Sequence, residues 1–190
     1  MKLSTVGILL ACVHYLGQPF IRGFQCNDET IRYPHKESTI SSALCYFTGS
    51  ALNVLLILVL EAQGTILRPK EDNDQTRSNS RLRLKLYLRN VYCRMIIWLF
   101  GSIVSELITD ISKFTAGRLR PHFLEICQPQ IEGLSYDEYC KRFDPYQYIT
   151  DNMYRCTGEP SKQRDARLSF LSGHSSFSAY SAVFAVVSKI

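Results

Sequence analysis

The sequence predicts an all-α protein, a multi-pass bundle of transmembrane helices. Its 190 residues are 46% hydrophobic, and the apolar residues are concentrated in runs rather than spread with a helical or strand period. About 20 mainly apolar residues are needed to cross roughly 30 Å of bilayer hydrocarbon. The runs at 40–62 and 91–111 are long enough to do so.

Two further apolar runs are less complete. The run at 3–16 is short for a span and could also be the apolar part of a secretory signal peptide. We favour a membrane segment, because no small-x-small cleavage site follows it and Tyr15 and Phe20 are suited to a membrane interface. The run at 177–190 ends while still apolar. We therefore expect about four spans, the fourth incomplete.

The charge distribution argues against nucleic acid as a partner. The net charge is +5, but the 22 Lys and Arg residues are divided among loops between the apolar runs. The loop at 63–90 is polar and densely basic, so the positive-inside rule predicts a cytosolic loop. The loop at 112–171 has a comparable number of basic residues at lower density, and it contains no run that could cross a membrane. It is expected on the outer side.

The seven cysteines form two groups. Three lie in or beside apolar runs and behave there as small apolar residues: Cys12, Cys45 and Cys93. Four would lie on the outer side, where oxidation is permitted: Cys26, Cys127, Cys140 and Cys156. Four cysteines allow three pairings, and the spacing does not choose between them. Because no paired C-x-x-C pattern occurs, no metal is expected.

A basic cluster follows the third apolar run and contains Lys113, Arg118 and Arg120. Cations beside a span ordinarily anchor the helix end at the lipid headgroups. Here Pro121 restrains the residue before it, and Gly117 permits close approach of the backbone. Arginine binds phosphate through a bidentate fork and lysine binds it as a compact charge. The cluster therefore favours an anion site.

The tripeptide Ser172-Gly173-His174 stands at the start of the fourth apolar run. A serine there is ordinarily explained as a helix cap. A helix N-terminus also offers free N–H groups and partial positive charge, which bind phosphate, and His174 can donate a proton near neutral pH. Antiparallel membrane helices joined by one loop bring their joined ends to the same side. We therefore expect the tripeptide to face the basic cluster and favour phosphate binding over simple capping.

The acidic residues and the other histidines are assigned structural or supporting roles, or none. Glu106 and Asp110 lie within the third span, where carboxylates face protein or water. Asp110 is one turn from Lys113 and is expected to pair with it, in a structural rather than a catalytic role. His14 and His35 are assigned no role. Four residues near the site are assigned supporting roles: Asp110, Arg118, Pro121 and His122.

At these residues the chain resembles the lipid phosphate phosphatases of the type 2 phosphatidic acid phosphatase superfamily. The first motif of that superfamily, K-x6-R-P, is matched by residues 113–121. The second, P-S-G-H, is matched by Ser172–His174 with Leu171 in place of proline. Outer-loop residues 22–24 and 33–36 also resemble the lipid phosphatase branch. The resemblance covers essentially the whole chain.

The resemblance implies a phosphate site that needs no cofactor and no metal. Lys113 and Arg120 would hold the phosphate together with Ser172 and Gly173, and His174 would act as a catalytic general acid that protonates the leaving alcohol. The nucleophile of the family is a histidine in a third motif, S-R-x5-H-x3-D, through which a phosphohistidine forms. That motif does not occur in these 190 residues.

The resemblance also implies a six-helix membrane fold, of which residues 1–190 would form a single domain incomplete at its C-terminus. Because the third motif is missing, this form is expected to be inactive as it stands. A chain that ends within an apolar run leaves a span unfinished, so we favour an incomplete copy of a working enzyme over a natural truncation.

The favoured function is removal of phosphate from lipid phosphates in phospholipid metabolism and lipid signalling. The substrate class comprises phosphatidate, lysophosphatidate, ceramide phosphate and sphingosine phosphate, and the partners are this lipid and the bilayer. The site would lie on the outer face of the plasma membrane. The alternative is a non-catalytic lipid-phosphate binder or regulatory protein that forms homo- or hetero-oligomers with a complete homologue. A channel or transporter fragment lacks the repeats that would support it.

Overall fold

A computed structural model describes residues 3–36, 38–66, 80–144 and 146–188. The helices of these residues are α1 Leu3–Leu16, α2 Ser42–Glu61, α3 Ser80–Ala116, α4 Phe123–Cys127, α5 Tyr136–Arg142, α6 Pro160–Gln163 and α7 Gly173–Val187. A π-helical turn, Ala62–Ile66, continues α2. Shorter 3-10 turns lie at Glu29–Ile31, Asp151–Met153 and Asp165–Arg167.

Short strands lie between these helices: β1 Phe24–Gln25, β2 Pro129–Ile131, β3 Leu134–Ser135, β4 Tyr148–Ile149 and β5 Tyr154–Cys156. Strand β1 pairs antiparallel with β4, and β2 is the central strand of an antiparallel sheet with the order β3-β2-β5. The prediction of an all-α fold is wrong in this respect, because a mostly helical fold also contains two small sheets. Strands of two or three residues are too short to show the alternation that identifies a strand.

Two helices are long and apolar enough to cross a membrane. They are the 24-residue helix Ser42–Thr65 and the 37-residue helix α3. The first includes all but two residues of the run predicted at 40–62, and the second contains the run at 91–111. Only 11% of the most apolar stretch of each is buried within the protein. A core helix of a soluble protein would be mostly buried, so these apolar faces require a surrounding other than water. Helix α1 is apolar but shorter, with 14 residues.

Helix α3 begins at Ser80 rather than at residue 91. Residues 80–90, predicted to belong to the loop 63–90, are therefore helical, and residues 67–79 of that loop lie outside the described residues. Leu, Arg and Lys alternate through 81–86, and all three are strong helix formers that extend a helix beyond the hydrocarbon. The cytosolic location of this segment stays a prediction.

The chain divides into two compact units, and the prediction of a single membrane domain stays a prediction. The helical unit, as we call it, comprises Met1–Leu10, Ile40–Leu107 and Gly173–Ile190. Its helices α2 and α7 pack together, and its small hydrophobic cluster of buried residues consists of Ile57, Trp98 and Phe177.

Polar contacts also stabilise the helical unit. The Tyr180 hydroxyl donates to the Trp98 carbonyl at 2.7 Å. Arg94 forms an ion pair with the buried Glu61 and donates to the Ser188 carbonyl at 2.8 Å. These contacts join α3 to the ends of α2 and α7.

The second unit, which we call the loop unit, comprises Ala11–Thr39 and Ile108–Ser172. Its core is larger and includes the fully buried side chains of Phe123, Ile131 and Ile149. Ser135 and Glu138 form a reciprocal capping box at the start of α5. The unit thus folds around a core of its own.

Disulfides close the loop unit. Of the three pairings that the sequence left open, the structure has Cys26–Cys140 and Cys127–Cys156, with Cα–Cα distances of 5.5 and 4.6 Å. The three cysteines expected in apolar surroundings are free. The grouping of cysteines by location therefore agrees with the observed bonds.

Candidate functional site

The end of α3 sets the direction in which the first motif leaves the helix. Gly117 has a φ of +53°, and its N–H donates to the Lys113 carbonyl at 3.0 Å, as in helices that end in a left-handed residue. A side chain at position 117 would overlap the Phe20 carbonyl. This confirms the prediction that Gly117 permits close approach of the backbone.

Lys113 lies in the last turn of α3 beside a buried carboxylate. Its Nζ is 3.4 Å from Asp110 Oδ1, which confirms the predicted pair one turn apart. The other oxygen, Oδ2, accepts a hydrogen bond from His14 Nδ1 at 2.8 Å. The interpretation of His14 as a residue without a role was therefore wrong, because it is the second partner of Asp110.

Arg120 is held by both its side chain and its backbone. Its Nη2 donates to Asp165 Oδ1 at 2.6 Å, and its backbone N–H donates to the Ala166 carbonyl at 2.8 Å. The Ser169 N–H donates to the Arg118 carbonyl at 3.0 Å. Residues 118–120 of the first motif therefore run beside residues 165–169, the segment that leads to Ser172.

The segment between α1 and α2 also packs against the first motif. The Tyr33 N–H donates to the Pro121 carbonyl at 2.9 Å. The rings of His35 and His122 meet edge to face, with centroids 4.6 Å apart. Residues 33–36, which matched the lipid phosphatase branch, are thus in contact with the K-x6-R-P segment.

His122 is electrostatically the unusual group of this region. Burial lowers the pKa of His122 below its ordinary value, and the neighbouring His35 and Arg120 lower it further. His122 is therefore neutral at pH 7, so the positive charge of the region comes from its lysine and arginine side chains. A neutral imidazole can still donate or accept one hydrogen bond beside an anion.

The second motif begins helix α7. The helix starts at Gly173 directly after Ser172, as predicted, so its first N–H groups lie next to this serine. The half-buried His174 donates from Nε2 to the Ile40 carbonyl at 3.2 Å. This bond fixes the tautomer and leaves Nδ1 as the nitrogen available to a reacting group.

An apolar groove of about 670 Å³ extends from His174 between α2 and α7. Leu44, Leu52 and Phe177 contribute to its walls. The leucine side chains are more than half exposed. The groove could accept hydrocarbon alongside the histidine.

The structure groups the predicted site residues in two sets. Lys113, Arg118, Arg120, Pro121, His122, Asp110 and Ser172 belong to the loop unit, and Gly173 and His174 belong to the helical unit. The sequence interpretation missed His14 and Asp165. An ionisable residue inside an apolar run was the available signal for His14, and the charged segment 164–167 just before Ser172 was the signal for Asp165. Among the described residues, no group of three or more His, Cys, Asp or Glu is arranged for a metal ion.

Two membrane-length helices and a K-x6-R-P segment held by ion pairs define a membrane protein of the phosphatidic acid phosphatase type. Residues 94–188, half of the chain, match the PAP2 superfamily. The chain belongs to that superfamily, and the resemblance found in the sequence is confirmed.

Curated relatives carry names of the same kind. A Drosophila melanogaster relative named for phosphatidate phosphatase is 34% identical over an alignment of 190 positions, which covers 96% of this chain and 49% of the relative. Mouse phospholipid phosphatase 1 is 35% identical, over 96% of this chain and 62% of its own length. Human phospholipid phosphatase 2 is 33% identical, over 96% and 57%. The chain thus spans about half to three fifths of these relatives. No solved structure matches it.

Proposed function

We propose that this chain supplies the phosphate-binding and proton-donating parts of a lipid phosphate phosphatase. Lys113 and Arg120 bind the phosphate together with Ser172 and the N–H groups that start at Gly173, and His174 protonates the leaving alcohol. The substrates are phosphatidate, lysophosphatidate, ceramide phosphate and sphingosine phosphate. The names of the relatives support this class of substrate.

One observation carries the proposal. The two backbone hydrogen bonds between residues 118–120 and 166–169 tie the first motif to the chain that enters the second motif three residues later. Arg120 uses one of its five N–H donors on Asp165, which leaves donors of its fork for a phosphate. These contacts support an anion site in which Arg120 lies beside the segment that leads to Ser172.

The chemistry requires one group that these 190 residues do not contain. The family histidine attacks phosphorus, the bond from phosphorus to the lipid oxygen breaks, and the alkoxide takes the proton of His174. Water then attacks the phosphohistidine, gives a proton back to His174 and releases inorganic phosphate. Because Nε2 of His174 is bonded to the Ile40 carbonyl, Nδ1 is the nitrogen that carries the transferred proton.

The groove beside His174 supports an amphiphilic substrate. Its walls are apolar and it lies between α2 and α7. A lipid phosphate with its headgroup at the start of α7 would place an acyl or sphingoid chain along these walls. This arrangement would leave the hydrocarbon out of water while the phosphate meets the cations.

The disulfides support a multi-pass topology with the loop unit on the outer face of the plasma membrane. Disulfides form in oxidising compartments. Cys26 and Cys140 are bonded, so an even number of crossings must separate them, and α2 and α3 supply two. The connection between α2 and α3 is then cytosolic.

The second candidate is a non-catalytic lipid-phosphate binder or regulatory partner of a complete homologue. A chain that binds phosphate through Lys113 and Arg120 without a nucleophilic histidine would act in this way. Removing the nucleophile from covalent catalysis leaves only the contribution of binding and electrostatics. The two candidates therefore predict the same phosphate binding and differ in turnover.

The test compares two forms of the protein. The 190-residue chain should bind phosphatidate without releasing phosphate. A chimera continued by the part of mouse phospholipid phosphatase 1 that this chain does not span should release phosphate without added metal. In the chimera, His174→Ala should lower turnover about 10²- to 10⁴-fold, since it removes a general acid, and Arg120→Ala should abolish detectable turnover.

Arg142→Ala is the matched control, because Arg142 is an exposed arginine at the end of α5. It should leave turnover unchanged. Full turnover in the chimera carrying His174→Ala or Arg120→Ala would contradict the assigned roles. Strong phosphate release by the 190-residue chain alone would contradict the need for the third motif.

A further inference from the structure

Asp110 is a buried carboxylate near the polar end of an apolar helix. Its side chain is only 8% exposed, and a carboxylate buried in this way is costly unless each oxygen has a partner. Both oxygens are satisfied: Oδ2 accepts from His14 Nδ1, and Oδ1 lies by Lys113 Nζ. The carboxylate thus joins two basic side chains from separate elements, α1 and α3.

The backbone that carries His14 is fixed independently. Arg164 Nη2 donates to the His14 carbonyl at 2.6 Å and to the Gly17 carbonyl at 2.9 Å. The Phe20 N–H donates to the Phe114 carbonyl at 2.9 Å. Since these bonds hold the end of α1 against α3, the imidazole approaches Asp110 from a set position.

Arg120 and Lys113, the two cations of the first motif, differ in how their side chains can be fixed in position. Arg120 has a rigid fork and backbone hydrogen bonds next to it. Lys113 has a flexible four-carbon stem that ends in a compact charge with three donors. Its ammonium group contacts Asp110. A flexible lysine that must bind a phosphate in one geometry gains most from a contact that holds it in place.

We infer that Asp110 and His14 are positioning residues for Lys113, and that His14–Asp110–Lys113 acts as one chain of contacts that orients the phosphate-binding ammonium. His14 occupies Oδ2, so Asp110 offers Lys113 one oxygen and the ammonium keeps donors for the substrate. This inference rests on the proposed function, because Lys113 must bind phosphate for its position to matter. Neither residue touches the substrate.

Phosphate binding by the 190-residue chain in nanodiscs of zwitterionic lipid tests the inference. The probes are lysophosphatidate and inorganic phosphate, measured by isothermal titration calorimetry. Asp110→Asn should weaken binding roughly tenfold, the lower range for loss of an outer-shell partner. His14→Gln should weaken it roughly threefold, because Asp110 can then turn both oxygens to Lys113. Glu106→Gln, a carboxylate one turn earlier on α3, is the matched control and should change affinity less than twofold.

A second background separates positioning from general damage. In a Lys113→Met chain, Asp110→Asn and His14→Gln should have no further effect on binding, because residues that act through Lys113 couple to it. An equal loss in both backgrounds would show a merely structural role and overturn the inference. Unchanged binding in the native background would overturn it as well. His14→Gln alters a side chain that is 59% exposed, so it keeps the test available if Asp110→Asn does not fold.

The same measurements distinguish this inference from the proposed function. If Lys113→Met and Arg120→Ala leave phosphate binding unchanged, the phosphate site itself is refuted. If both weaken binding while Asp110→Asn and His14→Gln do not, only the positioning chain is refuted.

Discussion

The loop unit has a hydrophobic core of its own, whereas the helical unit leaves most of its apolar surface exposed. Ile131 and Ile149 of the loop unit are 0% exposed, while Leu44 and Leu52 on α2 are 55% and 62% exposed. Burial from water can therefore stabilise the loop unit. In the helical unit, lipid as apolar as leucine would surround the helices, so packing and polar contacts must provide stability.

The largest expected difference between the units concerns the disulfides. Replacing Cys26 and Cys140 together by serine should destabilise the loop unit by about 4–5 kcal/mol, because the bond closes a long loop. The cysteines are 114 residues apart. Limited proteolysis should then cut the loop unit first and leave α2 and α7 protected. Cys93→Ser, at an exposed free cysteine, is the control, and equal loss of protection in both units would contradict the contrast.

A matched pair of substitutions tests whether water or lipid surrounds each unit. Ile131→Ala should lower the free energy of unfolding by about 3 kcal/mol, because the side chain then gains less from leaving water and also leaves a cavity. Ile57→Ala, at an equally buried position, should cost about 1–2 kcal/mol, because lipid removes the transfer contribution and leaves the cavity. Unfolding in nanodiscs measures both. Equal costs would mean that α2 is not surrounded by lipid.

The ion pair of the helical unit should contribute less to stability than the Cys26–Cys140 disulfide or the Ile131 side chain. Arg94→Gln leaves the buried Glu61 without its charge partner and should cost about 2 kcal/mol, below the 3–5 kcal/mol of a fully buried pair, because the Arg94 side chain is 40% exposed. The double variant Glu61→Gln, Arg94→Gln should regain part of the lost stability, as measured by thermal unfolding. Arg89→Gln, at an exposed arginine of the same helix, should have almost no effect.

The smallest expected effect concerns the cap of α5 in the loop unit. Ser135→Ala should cost about 1 kcal/mol at pH 7 by loss of the N-cap. Hydrogen bonds from the Ser135 side chain and backbone lower the pKa of Glu138 below its ordinary value of 4.5. The ionised carboxylate therefore stabilises the fold above pH 4.5, and this contribution is lost as the pH falls through the lowered pKa.

Glu138→Gln provides the pH test of this cap. It should destabilise the loop unit at pH 7, and this penalty should shrink as the pH falls below 4.5 and through the lowered pKa, as measured by thermal unfolding at each pH. A penalty that stays constant across this range would show that the charge of Glu138 is not involved. The helical unit should not respond to either substitution.

Part of the structure could be predicted from local sequence patterns alone. Runs of about 20 apolar residues identified both membrane-length helices, and the helix start at Gly173 and the close approach at Gly117 followed from local residue chemistry. Contacts between distant residues were not predictable in this way. His14 meets Asp110 at a separation of 96 residues and Asp165 meets Arg120 at 45, and only the folded chain brings such residues together.

The order of synthesis makes Cys26–Cys140 a late bond. Cys26 is made 114 residues before its partner, so at about 5–20 residues per second its thiol waits roughly 6–23 s while α2 and α3 are produced. Cys127 is made before Cys140 and is therefore available to Cys26 earlier. A Cys26–Cys127 bond formed in this interval would have to be exchanged after Cys140 and Cys156 have emerged, so cells poor in disulfide isomerase should accumulate a mispaired form.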